Sequence, residues 1–206
     1  MLLSTAHFPP IQYFSKIIDS GELILEAREN YQRQSYRNRF IILGANGTIS
    51  LSVPVIKGHS PGQPVKDVKI DYSGPWQRIH FKTLFSAYSH SPFFEFYIDD
   101  LSRFWKDKWS FLYDLNLAAL ESVIEILGIE TSIIESDKFT SPDDLEFDYR
   151  EIIHPKCGLD QDPFFKPFPY TQNFSDRHGF IPNLSIIDLL FQAGPESLSI
   201  IKKSIH

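Results

Sequence analysis

The tightest constraint on the fold lies between residues 2 and 27, where two apolar runs flank a stretch with helical spacing. Leu2 to Ala6 is a short apolar run that ends in His7 and a double proline. Ile11, Phe14, Ile17 and Ile18 then recur on one helical face before Gly21, and Glu22 to Ala27 is compact and apolar at its centre. Strand, helix, strand in so few residues reads as a βαβ unit with parallel strands and a right-handed crossover. Ligands in such units sit where the first strand ends. His7 occupies that position, at the mouth of a helix whose backbone N–H groups favour anions.

The rest of the pattern completes an α/β chain. Phe40 to Leu43 and Thr48 to Val53 flank Gly44-Ala45-Asn46-Gly47, and Asn-Gly between apolar runs is a strong hairpin signal. Lys57 to Lys66 is rich in Gly and Pro and reads as a surface loop, a connector or a lid, and Val68 to Tyr72 as another short strand. From Pro75 the period becomes helical: Trp76, Ile79, His80, Thr83, Leu84, Ala87 and Tyr88 share one face. Two more helices are expected over 94–105 and 110–127, the second closed by Gly128 and carrying Asn116 within its apolar arc. A buried Asn there must find partners or face a cleft. Thr131 to Ser136 reads as a strand, 138–168 as irregular structure and 170–182 as a polar loop. Leu184 to Phe191 reads as a helix capped by Asn183 or Ser185 with Asp188 as capping-box partner, and Gly194-Pro195 opens a last short helix. The expected architecture is a mixed sheet opened by a βαβ unit plus an antiparallel hairpin, packed with a helical middle and a C-terminal helix pair.

Size and charge narrow the function. With 206 residues and 42% hydrophobic content the chain can bury a full core, and it reads as a single domain over 1–206. No apolar run approaches the ~20 residues of a membrane helix, and the N-terminus lacks the basic region of a secretory signal. One cysteine, Cys157, agrees with a reducing compartment, so a cytoplasmic location is expected. The 26 acidic residues against 20 basic exclude broad nucleic-acid binding. The histidines never fall into a metal-binding spacing, and the loops of P-loop hydrolases, dinucleotide enzymes and serine hydrolases are absent, so neither metal nor cofactor is implied. Asp160-Gln161-Asp162 has the D-x-D form that glycosyltransferases use, a pattern that arises easily by chance. Cys157 reads as a small residue more readily than as a nucleophile.

Against this acidic background, residues Arg28 to Arg39 carry four arginines in twelve positions with Glu29 as the one acid, in a chain of net charge -6. Guanidinium groups donate bidentately to phosphate or carboxylate, so the stretch reads as a site for an anionic small molecule or as a solvated charged face. His7 and His80 are the candidate acid–base groups, and each also suits plain packing or capping.

Several segments together resemble the WbqC-like family: H-F-P-P-I-Q-Y-F-S-K-I at 7–17, Q-S-Y-R-N-R at 34–39, the N-G hairpin with L-S-V-P-V at 51–55, W-Q-R-I-H at 76–80, A-Y-S-H-S-P-F-F at 87–94, L-N at 115–116, L-G-I at 127–129 and N-L-S-I-I-D-L-L-F at 183–191. Their order and spacing carry the likeness. The resemblance implies a role in bacterial polysaccharide (O-antigen) assembly, with transfer of a glycyl or other acyl group to a nucleotide- or lipid-linked sugar. His7 and His80 are then the catalytic candidates, and Gln12, Asn30, Gln32, Arg37, Asn38, Arg39, Trp76, Tyr88 and Asn116 the substrate-binding ones. Family members commonly carry Gln-Pro where this chain has Ala6-His7, so an imidazole stands in place of an amide. Two other readings stay open: a nucleotidyltransferase-like enzyme using the His7 loop, and a non-catalytic scaffold presenting Phe94, Tyr97, Trp105 and Trp109. The sequence is also compatible with a homo-oligomer.

Overall fold

A computed structural model describes residues 1–56, 62–145 and 147–206. The opening βαβ unit is present: β1 (Leu2–Ser4), α1 (Ile11–Ser20) and β2 (Glu22–Glu26), with the strands parallel and Leu3 opposite Leu25. Helix α1 buries every residue from Ile11 to Ile17, and Gly21 ends it at φ 68°, a left-handed conformation that lets the chain turn straight into β2. The hairpin follows as β3 (Arg39–Gly44) and β4 (Gly47–Ser52), with Phe40 opposite Leu51. Its positive φ falls on Gly47, at 109°, and not on Asn46, so Ala45-Asn46 is the two-residue loop and the glycine after it absorbs the twist.

The hairpin forms a sheet of its own. The parallel sheet instead runs β1-β2-β5, with β5 (Ser132–Glu135) adding Ile133 opposite Leu23. The expected strand over 68–72 is reduced to isolated bridges, Val55 with Ile70 and Lys69 with Phe111. The expected loop over 57–66 lies partly outside the described residues; Val65–Asp67 is a 3₁₀ turn.

The helical middle comprises α2 (Trp76–Tyr88), α3 (Phe94–Leu101), α4 (Arg103–Lys106) and α5 (Leu112–Leu127). On α2 the buried face is Trp76, His80, Leu84, Ala87 and Tyr88, whereas Ile79 is 53% exposed, so the apolar arc is narrower than its sequence period. Residues 138–168 are largely irregular around α6 (Tyr149–Ile152), and the polar loop 170–182 contains one turn, α7 (Ser175–His178). The C-terminal pair is α8 (Ile186–Ala193) and α9 (Ser197–Lys203); α9 packs on α1 and α8 on α3. Ser185 caps α8 by accepting from the Ile187 N–H. Asp188 does not complete a capping box. Its carboxylate is buried and accepts from the hydroxyls of Tyr88 at 2.6 Å and Tyr170 at 2.7 Å.

Three buried cations, in four ion pairs, hold irregular segments in and around the βαβ unit. Lys16 pairs with Asp162 at 2.8 Å, Arg150 joins Glu26 and Asp148, and Arg37 pairs with Glu29. The main hydrophobic cluster draws on Leu3, Phe14, Phe40, Tyr88, Phe104, Leu115 and Phe191, and a second, smaller one joins Leu25, Ala27, Val65 and Tyr113.

Candidate functional site

The site is organised by the chain as it enters β3. Ser35 caps the turn Tyr36–Asn38, and Arg39 then takes an extended backbone, φ -147° and ψ 158°. The step from turn to strand sends Arg37 and Arg39 to different surroundings. Arg37 points inward and is 2% exposed. Its Nε donates to Glu29 Oε1 at 2.9 Å, a second guanidinium nitrogen meets the other Glu29 oxygen, and a third N–H reaches Gln32 Oε1 at 3.2 Å. Ser4 Oγ completes the cluster, donating to Glu29 at 2.9 Å and accepting from Arg37 at 2.7 Å. This guanidinium is fully used.

The Arg39 side chain has no hydrogen bond or ion pair among the described residues, and its Nε is buried without a partner. With Arg33 it walls an open pocket of about 270 Å³, completed by Tyr31, Gln34, Asn38, Val55, Ile56 and Gln63. The Tyr31 N–H donates to the Gln63 carbonyl at 2.8 Å, which draws residues distant in sequence into one wall. Among the described residues no carboxylate lines the pocket. Burial raises the Tyr31 hydroxyl pKa, and Arg33, Arg39 and Arg37 pull it back. Burial likewise pushes the Tyr36 hydroxyl up to about 12 against the pull of Arg39. The positive field therefore reaches both phenols. Two unpaired guanidiniums, amide groups and an apolar side at Val55 and Ile56 make a receptor for a phosphate or carboxylate attached to a larger body.

The other expected residues fall into three groups. Asn38 lines the pocket, with its Nδ2 donating to the Val53 carbonyl at 2.9 Å. Asn30 and Gln32 are exposed nearby: Asn30 bridges to Pro64, and Gln32 Nε2 donates to Glu151 at 2.8 Å. His7, His80, Trp76 and Asn116 lie in the interior, at 0%, 3%, 5% and 1% exposure. Asn116 Nδ2 donates to the Arg37 carbonyl at 2.7 Å, so this amide braces the R-N-R backbone. Gln12 and Tyr88 are braces too, Gln12 on Asp162 and Asn183, Tyr88 on Asp188.

Two places expected to be open are occupied. At the start of α1 the Ile11 N–H donates to the Leu184 carbonyl at 3.1 Å and the Gln12 N–H to Asn183 Oδ1 at 2.9 Å, so residues 183 and 184 take the donors an anion would have used. In the D-x-D stretch, Asp162 is consumed by Lys16 and Gln12. Cys157 donates to the Glu151 carbonyl at 3.1 Å. Phe94 and Trp105 are buried, so they do not form an exposed aromatic patch with Tyr97 and Trp109.

Sequence reasoning missed Tyr31, Val55, Ile56 and Gln63, and took in Arg33 and Gln34 only as part of the Arg28–Arg39 stretch without naming them as site residues. Arg33 carried a signal, being part of the arginine run. Gln63 carried none, because only the pairing of 30–31 with 63–64 brings it in.

An α/β chain with an arginine-walled pocket beside a hairpin is the class these features define. The chain matches the WbqC-like protein family over residues 5–154 and belongs to that family. The matched region contains every residue lining the pocket. The protein described as "Uncharacterized protein Rv1507c" from Mycobacterium tuberculosis (strain ATCC 25618 / H37Rv) is 24% identical over 223 residues, which cover 95% of this chain and 94% of that protein. No solved structure matches the chain significantly. Among the described residues no helix is long and apolar enough to cross a membrane.

Proposed function

We propose that this WbqC-like protein is a cytoplasmic transferase of an acyl or aminoacyl group, such as glycyl, in bacterial cell-surface polysaccharide biosynthesis. Its anionic substrate is a nucleotide- or lipid-linked sugar, held by phosphate in the pocket of Arg33 and Arg39. The observation that carries the reading is a pocket walled by two guanidiniums, exposed Arg33 and partly buried Arg39, with no carboxylate among its described lining residues, whereas the buried cations Lys16, Arg37 and Arg150 are each paired with an acid. In the transfer, the bond from acyl carbon to the donor's leaving atom breaks, a bond to a sugar oxygen or nitrogen forms, and the acceptor's proton leaves with the donor group. The nucleotidyltransferase alternative draws no support from α1, whose first N–H groups are engaged.

Incubation with UDP-sugars and a glycyl thioester, read by mass spectrometry, should show the mass of one glycyl group added to the sugar nucleotide. Arg39→Ala should abolish the gain. No gain with any nucleotide- or lipid-linked sugar and any acyl donor would sink the transferase reading.

A further inference from the structure

The pocket of Arg33 and Arg39 offers more than charge. Its other polar lining residues are neutral, Tyr31, Gln34, Asn38 and Gln63, and its apolar ones are Val55 and Ile56. Among the described residues the Gln34 amide and the Tyr31 hydroxyl have no hydrogen-bond partner. Gln63 spends its Nε2 on the Asp67 carbonyl at 2.9 Å, and Asn38 its Nδ2 on that of Val53, which leaves an acceptor oxygen on each. The Asn38 Oδ1 is buried without a partner. The lining therefore holds three amide oxygens that still lack a donor.

A bare anion does not answer them. Phosphate oxygens accept hydrogen bonds, so they engage the guanidiniums and the Tyr31 hydroxyl, which burial keeps protonated at neutral pH. The amide oxygens call instead for O–H or N–H groups on the ligand. A cationic donor is disfavoured, because two guanidiniums stand in the same pocket and no carboxylate is among its described lining residues. Neutral hydroxyls fit, and Val55 and Ile56 suit a C–H surface on the same body. Size limits the ligand further. At about 270 Å³ the pocket lies just under the roughly 300–1,000 Å³ of sites that enclose a whole drug-sized molecule. It has room for one ring and its phosphate, and anything joined beyond that phosphate extends outside.

We propose that this pocket binds a sugar through its ring and the phosphate attached to it, while the nucleoside or lipid carrier stays outside and goes unread. Gln34, Asn38 and Gln63 accept from ring hydroxyls, Arg33, Arg39 and Tyr31 donate to phosphate, and Val55 and Ile56 meet the C–H face. That the hydroxyl-bearing body is a sugar rests on the function proposed above; the need for a neutral hydroxyl-rich group beside the phosphate comes from the pocket alone.

Isothermal titration of the full chain tests this with cyclohexyl phosphate and glucose 1-phosphate, which share ring size and charge and differ in their hydroxyls. Glucose 1-phosphate should bind about tenfold tighter or better, the effect of two or more neutral hydrogen bonds. Gln34→Leu removes an amide that no other described residue holds, and should cut that advantage about three- to tenfold while pyrophosphate affinity stays unchanged. Gln63→Leu should do the same. UDP-glucose, ADP-glucose and farnesyl diphosphoglucose share glucose and two phosphates and differ in carrier, so they should bind within about threefold of one another. Equal binding of cyclohexyl phosphate and glucose 1-phosphate, an advantage that survives both leucine variants, or a preference of about tenfold for one carrier would each overturn the proposal. Those results leave the transferase reading to its own assay. Absence of glycyl transfer with the hydroxyl advantage intact would instead remove the transferase and leave this recognition standing.

Discussion

Arg37 and Arg39 stand two residues apart and do opposite work. Arg37 is enclosed, bound by both oxygens of Glu29 and by Ser4 and Gln32, and it fastens the end of β1 to the loop before β3. Arg39 borders solvent with its buried Nε idle, beside Arg33. The chain has 26 acidic residues from which a partner for Arg39 could have been drawn, and among the described residues none lines its pocket. A buried guanidinium must be neutralised because the interior cannot solvate it, whereas one at a pocket rim can wait for a ligand. A run of arginines in a sequence therefore mixes two populations, and the local turn decides which residue joins which.

The largest effect should come from breaking the inward arginine. Arg37→Met leaves Glu29, itself 5% exposed, without its cation, and should destabilise the fold by about 3–5 kcal/mol in urea denaturation. Adding Glu29→Leu should recover most of that loss, since removing both charges also removes the cost of desolvating them. A single-mutant loss below about 1 kcal/mol would place Arg37 with Arg39 and erase the contrast between them.

Asp188 extends the comparison to a buried charge without a cation. Burial pushes its carboxyl up to about 6, while the Tyr88 and Tyr170 hydroxyls pull it back. The folded value lies above the unfolded 3.8, so the native state holds this proton more tightly than the unfolded chain. Its contribution to stability is full below pH ~4, declines as pH rises to about 6, and is gone above that, a span on the order of 3 kcal/mol. Asp188→Asn should flatten that slope in denaturation curves recorded from pH 4 to 7. An unchanged slope would mean that the two hydroxyls alone hold the carboxylate ionised.

Arg39→Ala tests the outward arginine. Stability without ligand should move by no more than about 0.5 kcal/mol, as for surface changes. Pyrophosphate at a hundredfold excess over its Kd should stabilise the wild type by about 2.7 kcal/mol and the variant far less, measured by thermal shift. Equal stabilisation of both would move the anion site away from this pocket.

Much of the scaffold was legible because its signals are local. The period of Ile11, Phe14, Ile17 and Ile18 marks α1, and Gly44 to Gly47 marks the hairpin. What sequence concealed was set by long-range pairing. The hairpin stands apart from the parallel sheet, 68–72 makes only bridges, and Asp188 is drawn from helix capping by two tyrosines distant from it in the chain. The candidate site was legible in part: Asn38 and Arg39 line the pocket, but the inward turn of Arg37 depends on where β3 begins, and α1 lost its open N-terminus to residues 183 and 184.

The smallest effect concerns the residue that sets the pocket's shape. Gln34 sits at φ 60°, a left-handed conformation costing a side-chain-bearing residue roughly 1–2 kcal/mol, just before the turn that separates Arg37 from Arg39. Gln34→Gly relieves that strain but adds freedom to the unfolded chain worth about 0.5–1 kcal/mol, so a net gain of no more than about 1.5 kcal/mol is expected. Because Arg33 and Arg39 supply the charge, pyrophosphate affinity should be unchanged. A weaker affinity alongside the gain in stability would show that the strain at Gln34 holds the two guanidiniums at their working separation, and that the split between inward and outward arginines is tuned by this one residue.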